Sequence, residues 1–573
     1  MPKSKIIQIC INYGGHDTSA ALSIDNEIVA AAEQERYDLT KHSRNFPIDA
    51  INSCLKKSKL KISKVDRLIL TTDFEVGIRE IYLKPALKDN LMLERFLNES
   101  DGIKKYFNIE EKVRKKLKFK GQIDTFDHHL CHLASAYYPS GFNKSIVLSI
   151  DGVGQLETGK LAIAKNGQIK MCKFDANYPN SLGLIYSAIT DFLGWKHHCD
   201  EGIIMGLAPY GSPQSKIPNH SISYINLFRK IIPKNKNLGI KINTDWIAFH
   251  RQRDVWVSDK FKFFLGTKRQ PKNKITNHHK NIAAALQLRL EEIVLENLKN
   301  IKKKYKIEYL CISGGVGLNC SLNGKIHDSK IFKQIFVQPA SGDSGLAIGG
   351  LYLGIKEKFP KKLGIKKRYN SYLGSTFSNN EIFKVLVKKK VKYKKMSSIY
   401  KSTAKFLEKG KIIGWFQSCS EFGPRALGNR SIICKPYPLN MKDYLNKRVK
   451  FREYFRPFAP AVLNENYKEY FNLNQESPHM LISCQANKKK IPTIPAVVHV
   501  DGSCRVQTVS KESNFKFYNL IKEFYKLTSV PVILNTSFNI KGQPMVDTPS
   551  QAVDTFMGTK IDILVIGDYI VSK

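Results

Sequence analysis

Apolar and polar positions alternate with a period of two in short runs near the start of the chain, the signature of strands. Ile6–Tyr13 (IIQICINY) reads as a strand and leads into a polar glycine turn, GGHDTS. A second strand (AALSI), a tight turn at Asp25–Asn26 and a third strand (EIVAAA) follow. Ser145–Cys172 repeats the plan: IVLSI, DGVGQLETG, KLAIA, a turn at Asn166–Gly167, and QIKMC. Asp-Asn and Asn-Gly suit the positive φ of two-residue hairpins. Each hairpin is followed by helix-like segments. The pattern predicts a duplicated α/β unit with a phosphate cleft between its halves.

Two strand–glycine-turn–helix units come later. Tyr309–Ser313 runs into Gly314-Gly315-Val316-Gly317-Leu318-Asn319, and Phe336–Val337 runs into PASGDSG and the apolar helix LAIGGLYLGI. Backbone N–H groups at such a helix start hold anions, which makes Gly314, Gly315 and Asn319 candidate nucleotide-binding positions. Gly202–Gly211 (GIIMGLAPYG) reads as loop-like. Ile412–Phe416 opens a further α/β module ending in the buried-looking strand Ile561–Ile566.

Composition narrows the classes. With 573 residues, 42% of them hydrophobic, the chain has several domains' worth of core, and dominant disorder is excluded. No uncharged apolar run reaches the ~20 residues of a membrane helix. Met1–Cys10 reads as the approach to a first strand rather than a signal peptide. Eleven cysteines without a C-x-x-C pair fit a reduced, cytoplasmic chain with no zinc ribbon or disulfide frame. The net charge of +42 raises nucleic acid as a partner. More than half of it, however, lies in three Lys-rich stretches, Asp101–Lys120, Ser258–Lys280 and Ile355–Met396, whose irregular pattern is that of solvated surface. That distribution argues against a nucleic-acid partner. The oligomeric state stays open, a homodimer included.

Candidate chemistry lies in the motifs. In DHHLCH, opening the helix that Pro139 stops, His128 and His132 stand at i and i+4 and share a helix face, as two ligands of one divalent metal do. Asp343, in the later glycine turn, and Asp151, at a strand end, can complete a mixed His/Asp shell suited to iron, manganese or zinc. His16 and Asp17, in the first glycine turn, are placed to touch a reacting group. Arginine concentrates in the last third: Arg425 and Arg430 in EFGPRALGNRS, then Lys450, Arg452 and Arg456 in VKFREYFRPFAP, then Arg505. Asn535 ends a strand rich in small polar side chains. Arginine forks grip phosphate bidentately, and their interleaving with Gly, Pro and Phe favours a shaped pocket for a small polyanion.

These blocks, in this order, resemble the O-carbamoyltransferase family, whose members act on nodulation factors, cephalosporins and aminoglycosides. GGHDTSAAL, DHHLCHLASAYYPSGF, GIIMGLAPYG, SGGVGLNCSLNGKI, QPASGDSGLAIGG, EFGPRALGNRSI, VKFREYFRPFAPAV and LNTSFNIKGQPMV carry the resemblance over nearly the whole chain. It implies an α/β protein with a duplicated ASKHA (RNase H-like) domain over residues 1–366, a basic connecting segment over 367–396, and a YrdC-like twisted α/β domain over 397–573. By the same resemblance the YrdC-like domain makes carbamoyl-adenylate from ATP and carbamoyl phosphate, and the ASKHA domain passes the carbamoyl group to a hydroxyl of a small-molecule acceptor. Carried over by motif, Lys450, Arg452, Arg456, Arg505 and Asn535 bind carbamoyl phosphate and the nucleotide phosphates, with Arg425 and Arg430 beside them. His128, His132 and Asp343 hold the metal, iron by resemblance, with Asp151 adjoining. His16 contacts the carbamoyl group as base. Two positions depart from the family pattern: the arginine usual shortly after the aromatic Tyr37 is absent, and Gln543 replaces a glutamate. A fused threonylcarbamoyl-transfer RNA modification enzyme, and an inactive homologue binding nucleic acid through its basic surface, are the alternative readings.

Overall fold

Ile7–Asn12 (β1) is buried along its whole length, and so is all of Lys144–Ile150 (β6) beyond its first residue. Strands covered on both faces sit at the middle of sheets, and β1 does so although its polar Gln8 and Asn12 alternate with apolar residues. The structure, a computed structural model, describes residues 5–360 and 369–573. Two units form by contact: residues 1–29, 44–51 and 58–369 in the first, and residues 30–43, 52–57 and 370–573 in the second. The expected junction between Lys366 and Lys367 lies outside the described residues.

One five-stranded sheet joins β1 with Ser19–Ile24 (β2), Glu27–Glu33 (β3, its residues from Ala30 on grouped with the second unit), Arg67–Leu70 (β4) and Gln122–Thr125 (β5), in the order β3-β2-β1-β4-β5. β6 is joined by Gly159–Lys165 (β7), Gln168–Cys172 (β8), Tyr309–Ser313 (β9) and Gln334–Val337 (β10), in the order β8-β7-β6-β9-β10. The two sheets share one topology: an antiparallel hairpin first, then two strands added parallel to the first one. That is the duplication expected from the repeated hairpins. Asp25 (φ +54°), Asn166 (+52°) and Gly167 (+75°) adopt the left-handed conformations those turns need. The helix Leu346–Lys358 packs on the helix His128–Tyr137. At Gly349 a Cβ would collide with the carbonyl oxygen of Cys131, so only glycine permits that approach.

In the second unit eight strands form one sheet: Lys392–Lys395 (β11), Ile413–Phe416 (β12), Arg430–Cys434 (β13), Ala459–Leu463 (β14), Gln507–Val509 (β17), Val532–Ser537 (β18), Ile563–Ile566 (β19) and Tyr569–Ser572 (β20), in the order β11-β20-β19-β12-β13-β18-β14-β17. Ser483–Gln485 (β15) and Ser503–Arg505 (β16) form a separate ribbon. From Asn370 on, the expected basic connecting segment is folded structure. Its helix Asn379–Lys388 buries Ile382 and Leu386 behind a lysine-rich outer face, and β11 is the sheet's edge. Lysines on an edge strand block edge-to-edge pairing. Gly202–Gly211 is likewise not a loop: Glu201–Leu207 is helical because burial of Ile203, Ile204 and Leu207 outweighs the helix-weakening of Gly202 and Gly206. All eleven cysteines are free thiols, and no helix among the described residues is long and apolar enough to cross a membrane.

Candidate active site

The helix His128–Tyr137 starts at Asp127, whose carboxylate accepts the Leu130 N–H at 2.7 Å and so caps the first turn. Lys160 holds that carboxylate at 3.0 Å. Starting the helix here aims His128 and His132 at the ends of β6 and of the Asp343 turn. His128 Nε2 lies 3.4 Å from Asp151 Oδ2 and 3.8 Å from Asp343 Oδ1, and His132 Nε2 lies 3.7 and 3.6 Å from the same atoms. The four ligand atoms fall within 4.8 Å of one another, and all four residues are buried.

Electrostatics describe the same cage. Burial opposes ionisation of Asp151, yet His128 and His132 hold its carboxyl well below the usual range. Burial likewise opposes charge on His132, but Asp151 and Asp343 raise it to about 9. His132 Nε2 is fully buried and makes no hydrogen bond of good geometry. A buried imidazole nitrogen facing two carboxylates, none of them bonded to it, fits a divalent cation at their centre. His128 is oriented by Thr72 Oγ1, 3.1 Å from its Nδ1, and by Gln155, which takes its backbone N–H. Such contacts set which imidazole nitrogen faces a metal. Nothing in the sequence near Thr72 signals this task. His129 turns away, bonded to Ser149 and to the Glu157 carbonyl.

His16 comes to the rim of this cage, its Nε2 3.9 Å from Asp343 Oδ2 and its Nδ1 3.1 Å from Asp17 Oδ2. Asn12 fixes the turn by donating to the carbonyls of His16 and Asp17. Beside it stands His198, a residue the motif reading passed over, its ring stacked on His16 at 5.8 Å between centroids.

The third glycine turn supports the cage. Gly315 donates its N–H to Asp151 Oδ1 at 2.7 Å. Gly314 has φ +84°, and a Cβ there would strike the Ile150 carbonyl. Asn319 caps the helix Cys320–Asp328 through Leu322 N–H and pairs amide-to-amide with Gln287. In the structure these are scaffold contacts.

In the second unit Lys450, Arg452, Arg456 and Arg505 gather as expected. Lys450 is 4% exposed, and its ammonium donates to neutral oxygens: Ser537 O at 2.8 Å, Ser537 Oγ at 3.3 Å, Asn539 O at 2.9 Å and Asn539 Oδ1 at 2.5 Å. Burial, then Arg452, Arg456 and Lys41, push it well below the ordinary lysine range. Arg452 bonds Asn446 and lies over the Phe458 ring. Burial, then Arg456 and Arg505, push its guanidinium down as well, with Glu453 opposing. Phe451, between Lys450 and Arg452, has φ +49°, a conformation costing a bulky residue roughly 1–2 kcal/mol. Asn535 donates to the Ala426 carbonyl and to Gln507 Oε1, while its buried Oδ1 has no partner.

Arg430 is held by the backbone of its own unit. It is wholly buried, and its guanidinium donates to five backbone carbonyls, those of Gln417, Ser418, Asn429, Asp547 and Ser375, while lying 3.7 Å from the Phe416 ring centroid. Arg425 is part-exposed in the same loop. Glu421 shapes that loop by accepting the N–H groups of Leu427, Asn429 and Arg430.

The described residues thus hold an imidazole–carboxylate cage in one unit and a cluster of cations in the other. The family profile for the carbamoyltransferase N-terminus matches residues 5–351, and that for the carbamoyltransferase C-terminus matches residues 404–573; the chain belongs to the carbamoyltransferase family and is a transferase. It is 35% identical to the nodulation protein NolNO of Sinorhizobium fredii, over 97% of this chain and 79% of that protein. It is 36% identical to the nodulation protein NolO of Bradyrhizobium diazoefficiens, over 78% and 79%. An uncharacterised Synechocystis protein matches at 34% over 97% and 95%. Among solved structures, component A of the Acidaminococcus fermentans (R)-2-hydroxyglutaryl-CoA dehydratase is a distant likeness, 14% identical with a TM-score of 0.32 over 61% of this chain and 98% of that one.

Proposed function

We propose that the chain is an ATP-dependent O-carbamoyltransferase that works in two stages, one in each unit. The observation that carries this reading is the clustering of Lys450, Arg452, Arg456 and Arg505, where burial and the neighbouring cations push Lys450 and Arg452 below their ordinary ranges. Buried like charges repel one another, and a polyanionic substrate bound among them offsets that repulsion.

In the second unit carbamoyl phosphate loses inorganic phosphate to water. The carbamate oxygen so freed forms a bond to the α-phosphorus of ATP as the bond to pyrophosphate breaks. The products are carbamoyl-adenylate, pyrophosphate and inorganic phosphate. Lys450 and the three arginines offset the negative charge that gathers there, and Asn535 binds beside them. In the first unit an acceptor hydroxyl oxygen forms a bond to the carbamoyl carbon, the bond to AMP breaks, and His16 takes the hydroxyl proton. His128, His132 and Asp343, with Asp151, would hold a divalent metal, iron by family resemblance; when bound it supplies Lewis-acid charge beside the reacting group. The acceptor is a hydroxyl-bearing small molecule such as a sugar or other secondary metabolite.

Incubation with ATP and carbamoyl phosphate, without acceptor, tests the reading. AMP and pyrophosphate form in a carbamoyl phosphate-dependent manner, and Arg456→Ala abolishes both. Turnover with threonine and bicarbonate but none with carbamoyl phosphate refutes it in favour of transfer RNA modification.

A further inference from the structure

Outside the cage of the first unit, His16, His198, His197 and Trp256 form a continuous series of rings. Centroids are 5.8 Å apart for His16–His198, 5.0 Å for His198–His197 and 5.3 Å for His198–Trp256. His16 and His198 are close to parallel, at 28°. The placement of His198 is built, since the residue adopts φ +55° and its backbone N–H donates to Glu201 Oε1 at 2.6 Å.

The protons can be assigned. Ser187 has one hydroxyl hydrogen, and it goes to Glu201 Oε1 at 2.6 Å. Toward His198 Nδ1, 3.4 Å away, the serine oxygen can therefore only accept, so Nδ1 carries the imidazole proton. Nε2 then presents a lone pair. Burial, with His16, His197 and Arg44 nearby, lowers the ring to about 3, so it is neutral at physiological pH.

We propose that His198 Nε2 accepts a hydrogen bond from a second hydroxyl of the carbamoyl acceptor, adjacent to the hydroxyl served by His16, so that the site selects vicinal diols. The inference rests on the reading of His16 as the base at the transfer site. Neighbouring hydroxyl oxygens of a gauche diol lie roughly 2.9 Å apart, and with hydrogen bonds of about 2.8 Å they reach both of two stacked imidazoles. A lone alcohol reaches one. Part-exposed Trp256 adds apolar surface beside these polar ring edges, which suits the C–H face of a ring-shaped polyol.

Three probe acceptors test this with ATP and carbamoyl phosphate: cis-cyclohexane-1,2-diol, trans-cyclohexane-1,3-diol and cyclohexanol, with carbamoylated product measured by mass spectrometry. The wild-type enzyme is expected to favour the 1,2-diol in kcat/KM about tenfold over the other two, the worth of one added hydrogen bond. In His198→Ala that ratio falls about tenfold, and His198→Gln, whose Oε1 can replace Nε2 as acceptor, restores part of it. A wild-type enzyme indifferent to the second hydroxyl, or a His198→Ala variant that slows all three acceptors equally, overturns the inference. AMP formation without acceptor, measured in every variant, separates the two levels. Its absence from the wild type sinks the two-stage reading itself, whereas its presence with no diol preference sinks only the role of His198.

Discussion

Replacing Arg430 by lysine separates a scaffold arginine from a phosphate ligand. The guanidinium satisfies five backbone carbonyls from four stretches of the second unit, at 2.6 to 3.3 Å. A lysine ammonium is a compact point donor and cannot reproduce the planar fork. Two of these charge-assisted bonds lost, at roughly 2 kcal/mol each, bring the cost to about 4 kcal/mol, because the abandoned carbonyls stay buried. With a urea slope of about 2–3 kcal/mol per molar, the unfolding midpoint of this unit falls by between one and two molar. Pulse proteolysis in urea, with peptides from β12 and β13 followed by mass spectrometry, reads the unit directly. The KM for carbamoyl phosphate, measured on protein that remains folded, stays near the wild-type value. An unchanged midpoint together with a KM raised tenfold or more would refute the reasoning and make Arg430 a ligand.

The cage predicts one tightly held divalent metal per chain. His132→Ala and Asp343→Ala reduce the metal content measured by elemental analysis to a small fraction of the wild-type value, and stoichiometric metal in both variants would contradict the assignment. At the start of the His128 helix, burial tends to raise the Asp127 carboxyl, but Lys160 and the Leu130 N–H bring it below its usual value. A carboxyl depressed in the folded state contributes stability above its unfolded pKa of about 3.9, and that contribution is lost as pH falls through the folded value. The melting temperature of Asp127→Asn is therefore below that of the wild type by a constant margin at pH 5–7, and the margin narrows below about pH 4. A margin that widens on acidification shows the sign to be wrong.

Local chemistry made the doubled sheet legible. Asp25–Asn26 and Asn166–Gly167 specify left-handed turns whatever surrounds them, and the strands on either side alternate. The i, i+4 spacing placed His128 and His132 on one face, and the strand end and glycine turn supplied Asp151 and Asp343. What stayed hidden depends on packing between distant segments. That the Gly315 amide serves Asp151, or that Arg430 meets carbonyls as far away in sequence as Ser375 and Asp547, has no local signature. A solvent-facing and a buried arginine look alike in a glycine-rich motif. The grouping of residues 30–43 with the second unit is equally a product of tertiary contact: Arg36 is bonded to Glu33 and to the Gly423 carbonyl. His198 was hidden because its role comes from a neighbouring ring that is remote in sequence.

The claim at the centre of this account is that adenylation belongs to the second unit and acceptor transfer to the first. Exchange of labelled pyrophosphate into ATP reads the first of these stages alone. The account predicts exchange that requires carbamoyl phosphate, persists in His132→Ala and is absent from Lys450→Ala. Exchange that survives in Lys450→Ala but disappears in His132→Ala would contradict it.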